Sequence, residues 1–379
     1  MTRSTSHGKG LMFLVSVALL ATSLSAGTAL AQTTPIRGAE WDKIIEAAKK
    51  EGKVVVSLPA STELRAAIET NFEKRFGVDV EPIVGTAPVI VSRIVQESKA
   101  GIHYFDLHLG GSESVVNVLL PEGLLDPLPG WLVLPEVSDA KNWWGGHVWV
   151  DSAKRYIYAS QAYQSQNLWY NAQSVKAEEV RSFDDLLDEK WKGKIGYLDP
   201  RVGGSGASLW SYLRDIKGEE YLRRLVGQNL LLQRSERQLA ESLARNKISF
   251  LMGVTYYSFA QFVKAGLPVQ PLPTPKEGLY VSGGSGNLVI LKNAPHPNAT
   301  KLFVNWVLSK EGQEVYSKGL AQATRRLDVD TKWLQDIGVL AAKDKLTLEQ
   351  YHRLENQSEE KLRRLRDPAA ALARKLLGQ

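Results

Sequence analysis

Between residues 53 and 109, short β-branched runs alternate with amphipathic stretches, and the joins between them are brief. This alternation limits the possible folds more than any other feature. Val54-Val55-Val56 is an unbroken β-branched run, the pattern of a strand buried on both faces. After the turn Pro59-Ala60-Ser61-Thr62, residues Leu64, Ala67, Ile68, Phe72 and Phe76 fall on one helical face, and Gly77 ends that helix. Residues 78–84 read as strand again. Strand, helix and strand with short joins predict βαβ units and a parallel sheet. Ahead of them, Trp41, Ile44, Ile45 and Ala48 have helical spacing, stopped by Gly52.

The alternation continues with a helix over 89–100, a strand over 105–109 and a helix over 113–120. Residues 156–170 look like extended segments at a boundary. A second series follows: strand 195–198, a helix through 216, helix 237–245, strand 248–252 and helix 256–264. Strand 288–291 and helix 301–309 come next. From Trp333 onward the pattern predicts helices with no strand between them.

The first 31 residues have another character. Arg3 and Lys9 precede the apolar run 11–20, and Ala29-Leu30-Ala31 precedes Gln32. That is a secretory leader with a small-x-small cleavage site, and its apolar run is short for a bilayer span. Residues 32–379 then work outside the cytoplasm and suffice for two domains, each with its own core. The net charge of +6 is a mild excess and gives no reason to invoke nucleic acid. The chain has no cysteine, which excludes disulfides, thiol catalysis, thiolate metal sites and a lipid-modified cysteine after the leader. An exported, untethered chain is retained only inside an outer membrane, so the expected product is a soluble, monomeric periplasmic protein.

In open parallel sheets, ligands bind beyond the carboxyl ends of strands, against helix N-termini. Four turns have that position: Ser61-Thr62, Gly110-Gly111-Ser112, Gly203 to Ser208 with Ser205 near its centre, and Gly253-Val254-Thr255. Each offers backbone N–H groups, small side chains and a hydroxyl, the means of holding an anion. One such turn is an ordinary cap. Four across two candidate lobes point to a shared oxyanion site. Arg201 and Arg325 adjoin turns and are candidate cations, although a solvated arginine is the commoner role. Tyr256-Tyr257 offers two phenols to a hard metal or a ligand; the commoner arrangement packs one inward.

The cluster Ser282-Gly283-Gly284-Ser285-Gly286-Asn287 has no following Lys-Ser or Lys-Thr, so it is no phosphate-cradling P-loop. It reads either as a crossing between lobes or as a source of backbone donors. His103 and His108 fit no metal pair on one strand face. A secreted hydrolase finds no HExxH, G-x-S-x-G or EF-hand loop to stand on. The basic run 361–366 reads as the solvated face of a helix.

The order of parts resembles bacterial extracellular solute-binding proteins of family 1, close to the ferric-ion type of ABC-transporter substrate-binding protein. The residues that carry the likeness are Glu40-Trp41 through Val56, Leu186-Leu187-Asp188-Glu189-Lys190-Trp191-Lys192-Gly193-Lys194-Ile195, and Ala294-Pro295-His296-Pro297-Asn298-Ala299 with the stretch 303–313. The resemblance implies an α/β, type II periplasmic-binding-protein fold: two lobes joined by extended hinge segments, with a helical C-terminal extension. Residues 32–160 would begin lobe 1 and 161–270 form lobe 2. Residues 271–310 would be the hinge return and remainder of lobe 1, and 311–379 C-terminal helices packing on the lobes. It implies a carrier, not an enzyme, that closes on a solute and presents it to a membrane permease. Ferric-ion relatives use a Tyr-Tyr pair, matched by Tyr256-Tyr257, and add a histidine or acid after the first strand, where this chain offers Glu63. Other relatives hold phosphorylated or carboxylated molecules through Ser, Thr and backbone N–H groups. The expectation is a small anionic solute held by Ser61, Thr62, Ser112, Ser205, Thr255 and Arg201 or Arg325. The alternative is ferric ion as cargo on Tyr256 and Tyr257, and no other cofactor is expected.

Overall fold

The Val-Val-Val run forms strand β1 (Lys53–Leu58), whose side chains divide between two apolar cores. Val54, Val56 and Leu58 enter one and Val55 the other, as the period-2 alternation of a strand requires. β1 pairs in parallel with β2 (Asp79–Val84) on one side and β3 (Leu107–Gly110) on the other. The computed structural model describes residues 38–378 apart from 86 and 166, so the leader lies outside the described residues. β4 (Leu125–Asp126) and β5 (Tyr158–Ala159) complete the outgoing half of lobe 1.

The chain then crosses through β6 (Tyr163–Ser165) into a second sheet. That sheet holds β7 (Leu168–Asn171), β8 (Ile195–Leu198), β9 (Leu231–Gln233), β10 (Phe250–Met252) and β11 (Val269–Pro271) in the order β11-β7-β10-β8-β9. β8 runs parallel to β9 and β10, whereas β7 is antiparallel to β10 and β11. Helix Ser205–Gly227 follows β8 and buries Leu209, Trp210 and Leu213 in the lobe 2 core. It continues past the expected end at 216, with a break at Gly218, whose φ of 80° leaves the helical region.

The return crossing carries β12 (Val281–Ser282). β13 (Asn287–Leu291) then re-enters the first sheet, antiparallel to β3, β4 and β5. Leu288 and Ile290 face one lobe 1 core, Val289 and Leu291 the other. Helix Pro297–Leu308, with Pro297 at its first position, covers that sheet with Leu302, Phe303 and Trp306.

The two crossings are hydrogen-bonded to each other, because β12 pairs antiparallel with β6 and sets Ser282 opposite Tyr163. On the far side of β6 lies β14 (Val339–Ala341). This corrects the expectation that no strand follows Trp333. Three residues carry too little periodicity to announce a strand, and the open edge of β6 decides their state.

The C-terminal segment also joins the lobes. Leu362 is buried in a lobe 1 core beside Val115, Val116 and Leu119. Five residues on, helix Asp367–Leu377 places Ala369, Leu372 and Ala373 in the lobe 2 core. The basic run is therefore not simply a solvated face: Arg363 and Arg364 are exposed, but Arg366 is buried between the lobes.

Candidate functional site

The strand ends of the two sheets open onto one cleft of about 700 Å³. Lobe 1 contributes the segments after β1 and β3, and lobe 2 those after β8 and β10. The four turns picked out by sequence thus converge. Ser61, Thr62, Ser112, Ser205, Thr255 and Tyr257 line the cleft.

Several of these hydroxyls already hold the walls together. Ser61 caps helix Thr62–Ile68, accepting from Leu64 N–H at 3.2 Å and donating to Gly319 O at 2.6 Å. Ser205 donates to Gly253 O at 2.6 Å, and Thr255 donates to a Glu236 carboxylate oxygen at 3.1 Å. The turn at Ser205 admits no larger start, since a Cβ on Gly206 would sit 2.2 Å from Leu198 O. By helix geometry, the first N–H groups of Ser205–Gly227 lack intrahelical acceptors.

Neither proposed cation meets the expectation. Arg201 turns to Asp199, donating from Nε at 2.8 Å and from Nη2 at 2.9 Å, while Nη1 reaches Leu377 O at 2.9 Å. It ties down the chain's last helix and does not line the cleft. Arg325 is 1 % exposed, with its guanidinium 5.0 Å from the Trp144 ring and 4.6 Å from the Tyr351 ring, and donates to Trp144 O. Two flanking aromatic faces suit a buried cation and keep it from the cleft.

The tyrosine pair splits. Tyr256 packs toward Trp169, ring centroids 6.0 Å apart, and does not line the cleft. Tyr257 faces the cleft and rests against the lobe 1 core. A 3-10 turn, Tyr256–Ser258, sets the two side chains apart. The Glu236 charge, with burial, pushes the Tyr257 phenol up. Burial in turn raises the Glu236 carboxyl, although Ser258 and Thr255 donate to it. Among the described residues no three His, Asp or Glu side chains are grouped to hold a metal.

Other residues that no sequence motif marks also line the cleft, chief among them Arg366. Its guanidinium is 5 % exposed and donates from Nη1 to Ser208 Oγ at 2.8 Å and from Nη2 to Glu113 Oε2. Tyr163, Tyr280, Gln322 and Gln357 also line the cleft. Asn167 donates to the Tyr280 hydroxyl, and burial pushes that phenol up to about 12. The glycine cluster reaches the cleft too, but its donors are partly used: Gly284 N–H goes to Ser282 Oγ and Ser285 N–H to Gln322 Oε1. A Cβ on Gly283 would overlap Gln357 Oε1, so glycine there admits a C-terminal side chain. No local pattern marked Arg366; its place depends on a contact with a residue 253 positions away.

Two α/β lobes, strand ends opposed across a cleft and crossings paired at the hinge define a type II periplasmic-binding-protein fold. The chain belongs to the bacterial extracellular solute-binding proteins, whose family profile matches residues 54–319. A similar structure is the periplasmic binding protein AfuA from Actinobacillus pleuropneumoniae, solved with fructose-6-phosphate bound. It is 21% identical, covers 86% of this chain and 99% of its own, and has a TM-score of 0.63. Iron-bound HitA from Pseudomonas aeruginosa is 18% identical over 86% of this chain and 99% of its own, at a TM-score of 0.62. The ferric binding protein from Campylobacter jejuni is 16% identical over 85% and 98%, at 0.63. At these identities the likeness speaks for the fold. An uncharacterized protein of Haemophilus influenzae is 30% identical over 143 residues, 36% of this chain, and the match spans 40% of that curated relative's length.

Proposed function

We propose that the protein is the periplasmic solute-binding component of an ABC importer, and that it captures a small phosphate- or carboxylate-bearing solute by lobe closure. The ligand bridges the lobes and stabilises the closed form, which a membrane permease reads. The protein acts as a monomeric carrier and turns nothing over. The observation that carries the anionic reading is Arg366: a buried guanidinium opening on the cleft beside the start of helix Ser205–Gly227. A charge-assisted hydrogen bond to such a group contributes roughly 1.5–3 kcal/mol. That AfuA was solved with a sugar phosphate supports this choice.

Ferric ion is the second reading. It keeps Tyr257 in the cleft, with Glu236 near it, but loses Tyr256 to the Trp169 packing.

Native mass spectrometry of protein recovered from periplasm tests both. A co-purified organic anion is expected, and phosphate esters or carboxylates should then raise the melting temperature as ligand binds the folded state alone. A visible charge-transfer colour on adding ferric salt, lost in Tyr257→Phe, would replace the anion with iron.

A further inference from the structure

Arg366 does not face an empty seat. Glu113 stands on lobe 1, next to Ser112, and its carboxylate crosses to lobe 2. Oε2 accepts from Gly204 N–H at 3.3 Å and from Arg366 Nη2. A Cβ on Gly203 would lie 2.9 Å from the same oxygen, so the glycine turn lets the carboxylate approach the helix start. Arg366 is held on the lobe 2 side by Ser208 Oγ at 2.8 Å and Gly204 O at 3.3 Å. Its Nε is buried without a partner among the described residues. The carboxylate therefore sits where an oxyanion from solution would find its best surroundings: a helix start, a backbone N–H and a buried guanidinium. The two side chains are 5% and 19% exposed, so salt screens the pair weakly.

We infer that Glu113 is a resident counter-anion: it fills the Arg366 seat in the ligand-free protein until an exogenous oxyanion displaces it. This rests on the anionic reading above and adds its regulation. Glu113 belongs to lobe 1 and the seat to lobe 2, so the empty protein is drawn toward closure by its own carboxylate. Apparent affinity for any oxyanion is reduced by the fraction of molecules whose seat is taken. An uncharged solute gains nothing at Arg366 and leaves Glu113 in place, so the pair also selects for charge.

Inorganic phosphate is the probe for the seat. Glu113→Gln keeps the shape and an acceptor for Gly204 N–H but gives up the charge. It should bind phosphate about tenfold more tightly than wild type by calorimetry, the shift expected when a seat filled in nine molecules of ten is released. The gain should vanish in Glu113→Gln/Arg366→Gln. The lobe distance gives a readout without ligand. The cysteine-free chain takes a spin-label pair cleanly at Glu46→Cys on lobe 1 and Glu220→Cys on lobe 2. With Glu113→Gln the ligand-free distance should broaden toward open. Equal phosphate affinity in wild type and Glu113→Gln, or an unchanged distance distribution, overturns the inference. If Glu113→Gln gains phosphate while no phosphate ester or carboxylate binds wild type, the seat stands and the solute class falls.

Discussion

His108 shows how a single residue joins the cleft to the stability of the fold. It lies within β3, 1 % exposed, its Nδ1 2.8 Å from Ser57 Oγ. Burial lowers its pKa from 6.5 to about 4. The folded protein therefore binds fewer protons than the unfolded chain between those values, and stability rises with pH across that window. The contribution is complete above about pH 6.5 and is lost as pH falls toward about 4. Thermal melts should show a midpoint that is flat near neutrality and falls below about pH 6.5, and His108→Gln should flatten that fall. An unchanged slope in the variant would contradict this account. At this scale the sequence was partly legible. Small hydroxyl residues at strand ends could be read because cap chemistry is local, and the fold brings them to one cleft. Arg201 and Arg325 stand beside turns and Arg366 in a basic run, but the groups packed against each one decide its role. Asp199 and the last helix claim the first, two aromatic rings the second and the cleft the third.

Elements were legible where their residues alternate or repeat strongly. β1 and β13 are continuous apolar runs because each serves two cores. β14 was hidden because its three residues depend wholly on the edge of β6. The Tyr-Tyr pair was ambiguous for a similar reason: a helix was expected over 256–264, but a 3-10 turn precedes the short helix Ala260–Lys264 and sends the rings apart. The start of helix Ser205–Gly227 is the element on which the site most depends. A Cβ on Gly206 would meet Leu198 O, and Gly253 approaches Gly206 Cα so closely that a Cβ on Gly253 would lie 2.7 Å away. Gly206→Ala should lower unfolding free energy by about 1–3 kcal/mol, the range for overpacking, and weaken anion binding with it. Denaturant titration and calorimetry on the same sample check both. A variant of wild-type stability and affinity would show that the turn tolerates a wider approach.

The described residues form two lobes with three crossings. β6 and β12 form a paired hinge braced by β14, and the C-terminal segment passes from Leu362 in a lobe 1 core to Ala369 in the lobe 2 core. Contacts also cross from lobe to lobe at Glu63–Lys264, 3.3 Å, and at Glu113–Arg366. The first pair is largely exposed and contributes little, whereas the second is buried and lies in the cleft. In the proposed closure the hinge sheet and the C-terminal crossing bend together, and Arg366 lines the cleft between them. The two-lobed plan could be read from the alternation of strands and helices, but the third crossing could not, because its run of leucines and arginines has the pattern of any surface helix. The proposed function stands on closure of the cleft around a small oxyanion. The most direct measurement is calorimetric titration with the solute recovered from periplasmic protein, set against its uncharged parent compound. One-to-one binding of the charged form is expected, with at least about hundredfold weaker binding of the parent, a difference of roughly 2.7 kcal/mol. A parent compound that binds within about tenfold of the charged form would contradict it.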